Sequence, residues 1–200
     1  MAYRDFKIKD LRAKFGIQEI GTDLFLPNSI LKIEPSDTLK SKLADAKYIT
    51  LSTEKAVSEQ LVAPVLVEIA KLNEDLQFFS GEIIVADKAN GLNGELDFII
   101  ARKPWTRKPN NPLLCVTESK LGLINSGVDQ AAAQMLGLRI FNQKNGYNED
   151  IIHGAVTDGT SWRFLKLEGT SLLLDLTVYS TENLPLLLGV LQKVVDFYKT

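Results

Sequence analysis

Two short stretches decide how this chain is read: Gly94-Glu95-Leu96-Asp97-Phe98-Ile99-Ile100 and, further on, Leu114-Cys115-Val116-Thr117-Glu118-Ser119-Lys120. Each has the apolar density of a β-strand, yet each carries an acid where a buried strand ordinarily places Val or Leu. Alternate side chains of a strand share one face, so Glu118 and Lys120 project together from the end of their strand. Asp97 lies on the preceding strand, which can pair beside it. Two carboxylates and one ammonium then converge at the edge of a sheet, the carboxylates suited to Mg²⁺ and the lysine to orienting or deprotonating a water. Phosphodiester hydrolysis asks for this equipment, because charge must be neutralised on the phosphate and a nucleophile generated near neutral pH.

Outward from these strands the pattern alternates between helical and extended periods. Upstream, Val57, Leu61, Val65, Leu66 and Ile69 recur at helical spacing after Ser52 or Thr53, which predicts a helix over 53–72 that Pro64 bends or divides. Strands are expected from Phe78-Phe79 and over 82–86 and 95–101, with a turn at 90–94, so that the two pair as a hairpin. A third strand over 113–118 is apolar enough to lie inside a sheet, with Cys115 as a core thiol. A helix follows over 126–142. Strands at 151–156, 161–167 and 172–179 come next, with Asp158-Gly159 as a hairpin turn, and a helix over 182–198 closes the chain. Its apolar stripe, Leu187, Leu188, Leu191, Val194, Val195 and Tyr198, implies packing on the sheet or on a second subunit. The first 50 residues read as a helical cover, with segments at Ile8–Phe15 and, capped by Ser36 or Asp37, through about residue 46. The expectation is a single α/β domain with a mixed sheet, made of the cover (1–50), a core (52–168) and a closing strand and helix (170–200).

Composition narrows the chemistry. The chain has 200 residues, 45% hydrophobic and 24% charged, a size and balance suited to one globular domain. One cysteine and one histidine, His153, exclude an internal disulfide, a Cys-based zinc site and a multi-His centre. A metal here would be held by carboxylates, which points to Mg²⁺, Mn²⁺ or Ca²⁺. A formal net charge of −2 argues against a protein that coats nucleic acid non-specifically. The start of the chain lacks a secretory h-region and no apolar run is long enough to span a bilayer, so the expectation is a cytoplasmic protein without a membrane partner. One stretch, Arg102-Lys103-Pro104-Trp105-Thr106-Arg107-Lys108, carries four cations and no acid. It reads as a solvated loop or, lying between the two acid-bearing strands, as a DNA contact in which Trp105 stacks on an unpaired base.

With these residues in place, the Asp97 … Glu118-Ser119-Lys120 arrangement, after a helix and a hairpin and before a helix with Gln130, resembles the PD-(D/E)xK nuclease superfamily. The stretch from Thr53 to Leu66 resembles the helix that opens the nuclease domain in the N-terminal region of type I restriction subunits. Residues 52–168 are also similar to a group of uncharacterised cyanobacterial proteins with this pattern. The resemblance implies a restriction endonuclease-like mixed β-sheet flanked by helices, with Asp97 and Glu118 as ligands of Mg²⁺ or Mn²⁺ and Lys120 assisting the attacking water. It also implies an acid from the first helix, Glu54 or its rival Glu59, and a glutamine, Gln130, near the site, with Gln134 one turn later on the same face. DNA is the implied substrate, and a homodimer follows by analogy where both strands are cut. Leu96 stands where the motif's name places proline, and the first 50 residues and the last helix match nothing in the superfamily.

The bland readings differ. Glu54 also serves as a first-turn acid favoured by the helix dipole, the two glutamines suit an exposed face, and His153 is structural. Glu95 shares a face with Asp97 and is a reserve acid. From a different class, the chain could be a non-catalytic scaffold that keeps the fold and assembles through its apolar last helix.

Overall fold

The computed structural model describes residues 2–109 and 112–199, apart from the side chains of Cys115 and Val116; the core thiol expected at Cys115 thus lies outside the described residues. Among the described residues seven strands form one mixed sheet: β1 (Gln18–Thr22), β2 (Leu76–Asp87), β3 (Leu92–Arg102), β4 (Leu113–Ser119), β5 (Ile151–Thr157), β6 (Ser161–Glu168) and β7 (Ser171–Ser180). Their order across the sheet is β1-β7-β6-β5-β4-β3-β2. The pairs β1/β7 and β4/β5 are parallel and the others antiparallel. The parallel β4/β5 connection requires a crossover, and the helix α5 introduced below supplies it.

The helices are α1 (Ile8–Phe15), α2 (Asp37–Asp45), α3 (Glu54–Val57), α4 (Ala63–Leu72), α5 (Val128–Lys144) and α6 (Leu184–Asp196). Each face of the sheet carries its own apolar core. On one side Val128, Ala131, Ala132, Met135 and Leu138 of α5 pack on Ile99, Ile152, Val156 and Leu165. On the other, Val65, Leu66 and Ile69 of α4 and Leu187, Leu191, Val194 and Val195 of α6 pack on Phe98, Ile100, Leu114 and Phe164. The stripe of α6 is therefore spent inside the molecule. Paired hydrogen bonds between the amides of Asn73 and Gln192, both 2.9 Å, tie the end of α4 to α6.

The helix expected over 53–72 exists with a physical interruption. Thr53 caps it, its Oγ1 accepting from the Ala56 N–H at 3.1 Å, and Ser58–Val62 then widens into a π turn in which the Ala63 N–H reaches back five residues to Ser58. Pro64 explains the widening. It has no N–H to donate, and its ring would crowd the carbonyl four residues earlier, so the extra residue relieves the ladder there.

Two expectations are corrected, and the basic stretch finds its place. The first 50 residues are not only helical: Gln18–Thr22 is a strand that lengthens the sheet beside β7. The first hairpin is longer than expected, its turn falling at 88–91 and its strands running nearly their whole length in register. The basic stretch lies at the far end of β3 and β4 from the acids. Five residues of strand separate Arg102 from Asp97, about 16 Å at roughly 3.3 Å per residue. Arg102 is committed elsewhere, donating to the Tyr198 carbonyl at 2.7 Å and pairing with Glu149 at 3.5 Å, while Thr106 is tied to Gln77 at the start of β2. Lys103, Trp105, Arg107 and Lys108 are exposed there, away from the acids. Among the described residues no helix is long and apolar enough to cross a membrane.

Candidate active site

Asp97 sits where β3 changes sides. Leu96 is buried in the α5-side core, yet Phe98, two residues on, is buried in the opposite one, so the alternation of the strand is interrupted between them. Across the hairpin, between the pairs Ser80↔Phe98 and Glu82↔Leu96, Gly81 adopts φ 68°, a conformation that glycine tolerates best. The kink turns Asp97 out of the sheet and onto the rim of a cleft. From β4 the Ser119 N–H donates to Asp97 Oδ2 at 2.7 Å, which fixes the carboxylate against the next strand.

Glu118 points toward α5. The β3/β4 pairing carries a register shift between Ile100 and Ala101. Glu118 is 1% exposed, each carboxylate oxygen holding one partner: Lys120 Nζ lies 2.7 Å from Oε1 and Gln134 Nε2 donates to Oε2 at 2.7 Å. Lys120 also reaches Glu54 at 3.6 Å. The shared projection of Glu118 and Lys120 read from their spacing is thus realised, and the first helix joins through Glu54. Glu59 pairs instead with Lys55 at 3.8 Å and lines a neighbouring groove, which Glu95 and Asp97 border as well.

The cleft has a volume of about 370 Å³ and is lined by Glu54, Glu95, Asp97, Glu118, Lys120 and Gln130, with Ala2, Tyr3, Arg4 and Gly94 completing its wall. Gln130 faces the cleft, but Gln134 is the one that holds a catalytic candidate. Its i+4 spacing from Gln130 was the only sequence signal for it. The N-terminal turn with Arg4 carried no signal, because only the fold brings it here.

Burial raises the Asp97 carboxyl above its usual range, with Glu54 and Glu95 adding like charge, against the opposing Ser119 N–H and Lys120. Glu118 is pushed to about 7, first by burial and then by the charge of Asp97, despite Lys120 and Gln134. Burial acts against the Lys120 ammonium, but Glu118, Glu54 and Asp97 outweigh it and raise this group. Two acids near each other that resist ionisation together mark a place where positive charge is wanted.

That chemistry fits a hard divalent cation. Among the described residues no group of three or more His, Cys, Asp and Glu forms a ready cage. Mg²⁺, however, keeps several waters and is usually held by one or two carboxylates together with substrate phosphates. Asp97 and Glu118 are the two carboxylates that would form such a pair. Searches against protein-family models and curated proteins find no match to this chain.

Proposed function

We propose that this cleft is the active site of a Mg²⁺-dependent nuclease, on a restriction endonuclease-like fold, that hydrolyses DNA phosphodiester bonds. One observation carries the reading: an acid from β3, an acid from β4 and the lysine two residues later meet in one cleft, with Lys120 bonded to Glu118 and within 3.6 Å of Glu54. The order of elements supports the fold, since a helix, a hairpin, a strand, a helix and a strand parallel to the third follow one another from 54 to 157.

Each residue has a definite task. Asp97 and Glu118 would hold Mg²⁺ or Mn²⁺, which supplies a Lewis acid for the phosphoryl oxygens and a water of lowered pKa. Lys120 presents a compact, fixed ammonium that orients the attacking water and balances charge on the phosphate. Glu54 limits where that ammonium can swing. Gln134 and the Ser119 N–H hold the two carboxylates in place without adding charge.

The test is incubation of the purified protein with plasmid, linear and single-stranded DNA, in Mg²⁺ and then in Mn²⁺, beside Asp97→Ala. Cleavage by the parent that the variant lacks is the expected result. Equal cleavage by both proteins would assign the activity to a contaminant, and none by either would leave the fold as a scaffold.

A further inference from the structure

A nucleic-acid strand entering this cleft meets Glu54, Glu95, Asp97 and Glu118, while Lys120 is already engaged by two of them. The other cation lining the cleft among the described residues is Arg4. Its backbone is held firmly. Tyr3 beside it is 1% exposed, its ring lying against Gly94 of β3, where an added Cβ would come within 3.2 Å, and against Gly137 of α5, where a Cβ would collide with the phenol. The turn is closed on itself, the Ala2 N–H donating to Asp5 Oδ2 at 2.7 Å and the Asp5 N–H donating to the Ala2 carbonyl at 2.9 Å. The Arg4 side chain, by contrast, is 82% exposed, and its one ion pair among the described residues is to Asp5 at 3.9 Å, close to the outer limit of such a contact.

We propose that Arg4 is a substrate-binding residue: it takes a phosphate of the nucleic-acid strand next to the scissile one, carried on an N-terminal turn that Tyr3 pins to the cleft wall. This inference rests on the nuclease reading of the same cleft. The planar fork of a guanidinium matches phosphate through two parallel hydrogen bonds, and a pre-ordered backbone lowers the cost of holding it there. Arg4 also adds positive charge beyond Lys120, which two of the cleft's acids already engage, so a polyanion gains from this contact.

The experiment measures binding of a fluorescein-labelled duplex in Ca²⁺ across a range of salt, and cleavage of the same duplex in Mg²⁺, for the parent, Arg4→Gln and Arg4→Lys. One phosphate contact contributes about 0.9 to the slope of log affinity against log salt. Arg4→Gln is expected to lower the slope by about that amount and to raise KM several-fold at similar kcat, with Arg4→Lys keeping the slope. Unchanged slope and KM in Arg4→Gln, with a parent that cleaves, overturns the role of Arg4 alone. An Arg4-dependent slope in a parent that never cleaves keeps Arg4 as a phosphate contact and removes the hydrolytic reading. Absence of both binding and cleavage overturns the two together.

Discussion

Lys120 is largely shielded from solvent and still charged, its side chain 15% exposed between two carboxylates. Replacing it by Ala is expected to abolish DNA cleavage while circular dichroism and the thermal midpoint show an intact fold; full activity in that variant would remove Lys120 from the mechanism. Glu118 makes a prediction about pH. Its carboxyl ionises from about 4.5 in the unfolded chain and only near 7 in the folded one. A group raised in this way favours the fold at low pH and loses that contribution as pH rises toward 7, on the order of 3 kcal/mol. Glu118→Gln, a neutral isostere, is therefore expected to narrow the difference in thermal midpoint between pH 5 and pH 8, with the gain at pH 8. An unchanged difference would show that Glu118 is not what holds the alkaline side down. At this scale the sequence exposed Asp97, Glu118 and Lys120, because i, i+2 spacing on a strand is a local rule. It did not separate Glu54 from Glu59, since both lie on one helix and only the position of Lys120 chooses between them.

Among the elements, the β5/β6 turn shows how a sequence motif becomes a support for the site. Asp158-Gly159 was readable as a hairpin turn, and the Asp158 carboxylate accepts from the Thr160 and Ser161 N–H groups at 2.9 and 2.7 Å. What the sequence could not show is that Gly159, at φ 89°, lies against the helix that carries Glu54: a Cβ there would be 2.7 Å from Leu61 and 3.1 Å from Val57. Gly159→Ala is expected to cost about 1–2 kcal/mol from the left-handed backbone alone, and more from the contact, and to lower cleavage further by displacing Glu54. The checks are chemical denaturation and the cleavage rate; stability and rate like the parent's would show that the turn gives way without moving the helix. Strand β1 was missed for a different reason. Gln18-Glu19-Ile20-Gly21-Thr22 is mostly exposed and has no apolar alternation, so it becomes a strand only because the first half of β7 offers it a partner. The basic stretch does connect the two acid-bearing strands, but antiparallel β3 and β4 carry this loop to the end opposite Asp97 and Glu118, which spacing along the chain does not show.

For the whole molecule, the closing helix is fastened to the sheet through Tyr198, whose hydroxyl donates to the Leu114 carbonyl at 2.8 Å and bonds to His153 Nδ1 at 2.7 Å. His153 is 5% exposed, in keeping with the apolar residues around it in sequence. Burial, then the nearby Lys166, lowers it to about 4, with Glu168 pulling the other way; Asp23, Lys193 and Asp196 share the same cavity wall. A histidine lowered in the fold costs nothing above its unfolded value of about 6.5 and weakens the protein as pH falls from there toward 4, by on the order of 3 kcal/mol. Stability measured by urea denaturation is expected to fall over that interval, and less steeply in His153→Gln; parallel curves would show that other groups govern the acid side.

The sequence by itself determined most of the alternation of helices and strands after residue 52, the Asp158-Gly159 turn, a helix start at Ser52 or Thr53, and an acid, an acid and a lysine on or just after two neighbouring strands, because each follows from spacing along the chain. Only the tertiary structure decided that Gly81 and the break between Leu96 and Phe98 turn Asp97 outward, that Gln134 holds Glu118 and that Glu54 reaches Lys120. It alone set Arg4 into the same cleft. These depend on contacts between residues far apart in sequence, which packing on the two faces of one sheet brings together and no local pattern encodes.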